Sequence, residues 1–197
     1  MTSEAEKYTS QYIINLKTIA LLPIVMKDKR IVTRVIEESD EFFVYQKPLE
    51  IVEQSCRQYG ASFGGRKDGT KEYTGFTHKA PIAISPTDHI YFFPTFSYSR
   101  KECAWLSHFH IESVTKLPHG NILIEFINGQ TIKLEVSKNS FENQRNRTAQ
   151  LRAEFEDRKR KQAEPKFLLV NQNEVLELKP AYEKMYLIKK EDQLYME

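Results

Sequence analysis

Cysteine is scarce in this sequence: Cys56 and Cys103 are the only two in 197 residues, and neither belongs to a C-x-x-C pair. That excludes a disulfide-built scaffold and the paired-thiolate zinc motifs, and both thiols are expected to be reduced and partly buried. Long apolar runs are also missing. The longest, Ile19 to Met26, is eight residues and contains Pro23, whereas a membrane-spanning helix needs about 20, so no membrane association is expected. The opening residues, Met1-Thr2-Ser3-Glu4-Ala5-Glu6, carry neither the basic nor the apolar segment of a signal peptide, and the expected location is the cytoplasm. No G-K-[ST] follows Gly60 to Arg66 at the spacing of a phosphate-binding loop, which argues against nucleotide hydrolysis by that route. Repeats and low-complexity tracts are absent.

What is present is a balanced charge with an uneven distribution. The net charge is +2, yet residues 57–101 hold seven Lys and Arg against three Asp and Glu, and residues 141–166 hold eight against five. The other three stretches are each slightly acidic. Two basic blocks of this kind point to a polyanionic partner.

Gln11 to Gln46 is rich in Ile, Val, Phe and Tyr between polar turns at Lys27-Asp28-Lys29 and Glu37 to Glu41, and reads as three or four short strands. Pro48 then opens a helix whose apolar residues Leu49, Val52, Cys56 and Tyr59 recur at helical spacing, and Gly60 closes it. Arg57 lies away from that stripe and should be accessible. Gly60 to Gly75 contains five of the seven glycines and reads as a mobile basic loop. Strands follow at Pro81 to Ser85, Ile90 to Phe93 and Trp105 to Val114.

Asn121 to Val136 forms a hairpin around Asn128-Gly129. A two-residue turn would set Ile124 opposite Lys133. A three-residue loop with Gly129 left-handed pairs Ile124 with Ile132 and Ile122 with Leu134, keeping the apolar face intact. After it, Asn139 and Glu142 form a variant capping box for a helix with an inward stripe of Phe141, Thr148, Leu151 and Phe155, running to about Lys161 before Pro165. Arg145, Arg152 and Lys159 flank one edge of that stripe, and Arg147 and Arg158 the other.

The basic residues admit two readings. Arg66, Lys67 and Lys71 suit either an ordinary solvated loop or phosphate contact, with glycine amides as additional donors. Arg152 and Glu156 can pair within the helix, whereas Arg145 and Arg147 stand near its start with fewer acidic neighbours, the better place for phosphate. His108 and His110 could form half of a metal site with Cys103 or His119, but no second ligand pair has suitable spacing, and packed or surface histidines account for them more simply. Cys103 with either histidine lacks any nucleophile signature. Neither metal, cofactor nor catalysis is expected. The aromatic run Tyr91-Phe92-Phe93 with Phe96 and Tyr98 could stack on bases, though strand core is the simpler assignment.

From Lys47 to about Phe155 the sequence resembles ComK, a bacterial family of competence transcription factors. The resemblance rests on Lys47-Pro48-Leu49, Ile51-Val52, Ser55-Cys56-Arg57, Gly65-Arg66-Lys67, Gly69-Thr70 and His78-Lys79. It continues through Phe93-Pro94-Thr95, Trp105-Leu106-Ser107-His108, Asn128-Gly129, Asn139-Ser140-Phe141-Glu142-Asn143-Gln144 and Arg147-Thr148-Ala149. It implies an activator of DNA-uptake genes that binds paired AT-rich boxes in double-stranded DNA as a homodimer or tetramer, largely through the minor groove. It further implies a Clp protease adaptor as partner, with RNA polymerase as another. Flexible arms bearing Arg and Lys suit a narrow, electronegative A·T groove. On charge and location, Arg66 and Lys67 are assigned to the groove or its rim, and Arg57, Lys71, Lys79, Arg145 and Arg147 to phosphates. Phe167, Leu168, Leu169 and Val170 are the candidate adaptor segment, weighed against a final strand.

The expected fold is α+β: mainly antiparallel sheet, a short helix near 48–59 and a longer basic helix near 140–161. Residues 1–165 are expected to form the DNA-binding domain and residues 166–197 a regulatory tail. The rival reading is a non-catalytic interaction module whose basic loop binds a phosphopeptide or an anionic lipid headgroup.

Overall fold

A computed structural model describes residues 7–163, 169–171 and 174–176. Contacts divide the chain into two compact units, Met1–Glu154 and Phe155–Glu197. The first unit is built on a seven-stranded sheet. Its strands are β1 (Tyr8–Thr9), β2 (Thr18–Val25), β3 (Ile31–Glu37), β4 (Glu41–Val44), β5 (Ile82–Ser85), β6 (Ile90–Pro94) and β7 (Trp105–Ser107). They lie in the order β1-β4-β3-β2-β7-β6-β5, antiparallel except for β1 beside β4. A second sheet, β8 (Ile111–Lys116), β9 (Ile122–Phe126) and β10 (Thr131–Leu134), is an antiparallel meander.

Residue alternation divides the central strands between two cores. Leu21, Val35, Phe92 and Trp105 pack with Ile51, Val52 and Cys56 of α1 (Pro48–Gln58). Their neighbours Ala20, Leu22, Ile36, Phe93 and Leu106 pack with Val114, Ile122, Ile124 and Phe126 of the second sheet and with Phe141 of α3 (Lys138–Ala163). The main sheet is therefore covered on both faces, which is why β2 reads as an almost unbroken apolar run.

Local signals account for most element boundaries. Pro48 occupies the first turn of α1, and the Glu50 carboxylate accepts a hydrogen bond from the Lys47 backbone N–H at 2.9 Å. Arg57 is exposed in its last turn, as expected. The β9–β10 hairpin has the expected register, Ile124 opposite Ile132 and Ile122 opposite Leu134, with Gly129 at φ 80°. In α3 the inward residues Phe141, Gln144, Thr148 and Leu151 are buried.

Three expectations are corrected. Gly60 to Gly75 is not a mobile loop: Phe63–Thr74 forms a helix, α2. Its interior glycines, Gly64, Gly65 and Gly69, each disfavour a helix by about 1 kcal/mol relative to alanine, and caps with tertiary anchors outweigh them. The Ser62 hydroxyl accepts from Gly65 N–H at 2.9 Å, and Gly75 ends the helix at φ 75°. Phe63 sets its ring edge-on to Tyr98 and Trp105, and buried Thr70 donates to the Pro81 carbonyl at 3.0 Å. Second, Trp105 to Val114 is two strands rather than one. His108–His110 turns the chain from the main sheet into the second, and buried His110 meets Ser107 Oγ at 2.7 Å. Third, α3 is capped by Ser137, not Asn139: Ser137 Oγ accepts from Ser140 N–H at 3.2 Å.

The second unit contains the end of α3 and a two-stranded antiparallel pair, β11 (Leu169–Asn171) and β12 (Glu174–Leu176).

Gly69 lies inside α2, and an added Cβ there meets nothing within 4 Å. Gly69→Ala is expected to raise unfolding stability by about 0.5–1 kcal/mol, because alanine loses less backbone freedom on folding. Gly75→Ala, at positive φ, should lower it by about 1 kcal/mol or more. Urea unfolding of the two variants checks the pair of opposite signs.

Candidate nucleic-acid interface

The seven cations singled out from sequence do not share one setting. Arg57 is exposed on α1 and Lys71 on α2, whereas Lys67 is half-buried on α2. Arg66 is also half-buried, and its guanidinium donates to the Tyr59 carbonyl at 3.3 Å, fastening the start of α2 to the end of α1. Arg66 and Arg57 both oppose the burial that pushes the Cys56 thiol up to about 11.

Lys79 and Arg147, 68 positions apart in sequence, are brought together by Gln144. The side chain of Gln144 is buried, so its amide must find partners within the protein. Its NH2 donates to the Lys79 carbonyl at 2.8 Å and the Pro94 carbonyl at 3.0 Å, and its Oε1 accepts from Arg147 Nη1 at 2.9 Å. Arg147 also lies over the Phe76 ring, 4.1 Å from its centroid. Partial burial lowers the pKa of its guanidinium from the ordinary value, but arginine stays cationic in proteins. Lys79 itself has φ 48°, a left-handed conformation in the connection that leads to β5. These contacts bind one face of α3 to the segment between α2 and β5 and link the Arg147 guanidinium through Gln144 to the main chain of Lys79.

Arg145 is turned elsewhere. Its Nη2 donates to the Ile111 carbonyl at 3.1 Å, at the start of β8. It has a structural partner that the sequence alone did not reveal. Gln144 was missed as a positioning residue; its signal was a long polar side chain three residues after Phe141, on the buried stripe of the helix.

The other chemistries weighed from sequence find different placements. Tyr91, Phe92 and Phe93 are buried, and only Phe96 and Tyr98 of that run are half-exposed. His110 is buried between Ser107 Oγ and the Glu38 carboxylate, 3.2 Å from Nε2. Cys103 donates to the Phe96 carbonyl at 3.4 Å, and burial raises its pKa, which disfavours a thiolate. Among the described residues, no group of three or more His, Cys, Asp and Glu is placed to hold a metal ion, and no helix is long and apolar enough to cross a membrane. Of the adaptor segment, Phe167 and Leu168 lie outside the described residues, while Leu169 and Val170 pair with Leu176 and Val175.

Comparison with known proteins gives two matches. The family described as ComK protein matches residues 9–160. The competence transcription factor of Bacillus subtilis (strain 168) is 42% identical over 158 residues, covering 80% of this chain and 82% of that protein. No solved structure matches the chain.

His108 supplies a pH prediction. Burial, reinforced by Arg152 and Arg145, pushes its pKa down to about 4, and burial also lowers that of His110 despite the Glu38 contact. Between the ordinary histidine value of about 6.5 and this lowered one, the unfolded chain binds more protons than the folded chain. Stability is therefore expected to be greatest above about pH 6.5 and to fall as pH drops towards 4, with His108→Gln flattening the fall. Urea midpoints measured across that range test it.

Proposed function

The chain belongs to the ComK family, and from that premise we propose that it is a transcription activator of DNA-uptake genes. The observation that carries the reading is the family match across residues 9–160, supported by a relative whose name is competence transcription factor. The protein acts without catalysis, in the cytoplasm at the nucleoid, and binds AT-rich promoter boxes as a dimer or tetramer.

The proposed contact mode follows from the cations and the elements that carry them. No helix-turn-helix with a free recognition helix was legible in the sequence. Instead, half-buried Lys67 and exposed Lys71 lie on a short helix rich in glycine, and Gln144 links Arg147 to the main chain of Lys79. Cations suit an A·T minor groove, whose narrowness strengthens its negative potential. We assign Arg66 and Lys67 to the groove or its rim, and Arg57, Lys71, Lys79, Arg145 and Arg147 to phosphates. The tie from Arg66 to Tyr59 and that from Arg145 to Ile111 give those two a second, structural task. RNA polymerase is a further proposed partner.

A Clp protease adaptor completes the proposal, with Phe167, Leu168, Leu169 and Val170 as its segment and residues 166–197 as the regulatory tail beyond a DNA-binding domain of residues 1–165. Truncation after Pro165 is expected to abolish adaptor binding in a pull-down while preserving duplex affinity. Retained adaptor capture would remove the segment from this role.

Fluorescence anisotropy tests the DNA reading, using a duplex with two AT-rich boxes beside a GC-rich duplex of equal length. Affinity should favour the AT-rich duplex and fall steeply with salt, as released counterions require. Lys67→Ala should reduce the salt slope by about 1. Saturation by a phosphopeptide or an anionic headgroup, with no binding to either duplex, would instead support the interaction module.

A further inference from the structure

The main sheet is electrostatically polarised along its strands. At one end β2, β4 and β6 finish and β3, β5 and β7 begin. The connections there carry Lys27, Lys29, Arg30, Lys47, Lys79, Arg100 and Lys101 against Asp28 and Glu102. The opposite end carries Glu38, Asp40 and Asp88, with Glu37 and Glu41 at the adjoining strand termini, against Lys17 and Lys7, the latter paired with Asp40.

The basic end contains a groove of about 620 Å³ lined by five cations from three separate segments, Lys29 and Arg30, Lys47, and Arg100 and Lys101. The half-exposed Tyr98 contributes aromatic surface to its wall. Three of these cations have a local carboxylate: Arg30 meets Asp28 at 2.7 Å, Arg100 meets Glu102 at 3.3 Å, and Lys47 meets Glu50 at 3.6 Å. Lys29 and Lys101 are exposed and have no ion-pair partner among the described residues. With those carboxylates counted, the rim still holds two more positive charges than negative ones.

We infer that this groove holds the sugar-phosphate backbone of the bound duplex, as a second contact surface beyond the cations assigned from sequence. The inference rests on the DNA-binding reading. It is favoured over a small free anion by continuity with the segment at Lys79 that Gln144 ties to Arg147. The Tyr98 hydroxyl donates to the Ala80 carbonyl at 2.8 Å, next to the Lys79 carbonyl that Gln144 holds, so the groove adjoins that segment through Tyr98. Cations contributed by three separate segments of chain can meet successive phosphates along a strand. Backbone contacts of this kind set position and affinity without reading sequence.

The test is the double variant Lys29→Gln, Lys101→Gln in the full chain, titrated by anisotropy against the AT-rich and GC-rich duplexes from 50 to 200 mM salt. Loss of two phosphate contacts should reduce the salt slope by about 2. Affinity should fall by the same factor on both duplexes, with thermal unfolding unchanged. Each single variant should reduce the slope by about 1, which keeps the test open if the double variant unfolds. A wild-type slope in variants that fold, or a loss confined to the AT-rich duplex, would overturn the backbone role. A wild-type protein that bound neither duplex would overturn the DNA reading and this inference together.

Discussion

The arrangement depends on the burial of the central strands on both faces. Leu21 and Trp105 face one core while their immediate neighbours Ala20 and Leu106 face the other, so a single covering layer would leave half of this apolar surface in water. Burying a large aliphatic or aromatic side chain contributes about 1.5–3 kcal/mol, and the two faces together hold most of the large buried residues. α1 must therefore cover one face, and the three-stranded sheet with the start of α3 must cover the other. Each covering element brings cations with it. The proposed interface is in this sense a product of how the sheet is buried.

Within that frame, one buried amide sets the position of α3. Gln144 sits on an otherwise apolar helix face, and an unsatisfied amide there would cost about 1–3 kcal/mol. Its bonds to the Lys79 and Pro94 carbonyls and to Arg147 fix the rotation of the helix against the end of β6. The same contacts keep Arg147 over Phe76 and tie it through Gln144 to the Lys79 carbonyl. Packing and charge presentation are thus one event here. Polarisation of the sheet between a basic and an acidic end adds a longer-range effect, a field that favours one orientation toward a polyanion.

Several elements were legible because their determinants are close together in sequence. Pro48, Glu50 and Gly60 bound α1, and the apolar alternation with Gly129 determined the register of the hairpin. α2 was not legible because its glycines argue locally for a loop, while the packing of Phe63 on Tyr98 and Trp105 and of Thr70 on Pro81 is tertiary. The break at His108–His110 was hidden for a similar reason: alternation continues through it, and only pairing with two different sheets separates the strands. Among the cations, the accessibility of Arg57 followed from helical spacing, whereas the partners of Arg66, Arg145 and Arg147 did not.

The sequence by itself determined the family, the α+β class, most of the strands, α1, the hairpin register and the presence of two basic blocks. These follow from periodicity, turn chemistry and composition, which operate over a few adjacent residues. Tertiary structure alone decided that Phe63–Thr74 is a helix, that Lys79 and Arg147 share a buried glutamine, and that Lys29, Lys47 and Lys101 line one groove. Those juxtapositions depend on strand order and on which face of each element is buried, and neither is encoded in any short stretch of chain.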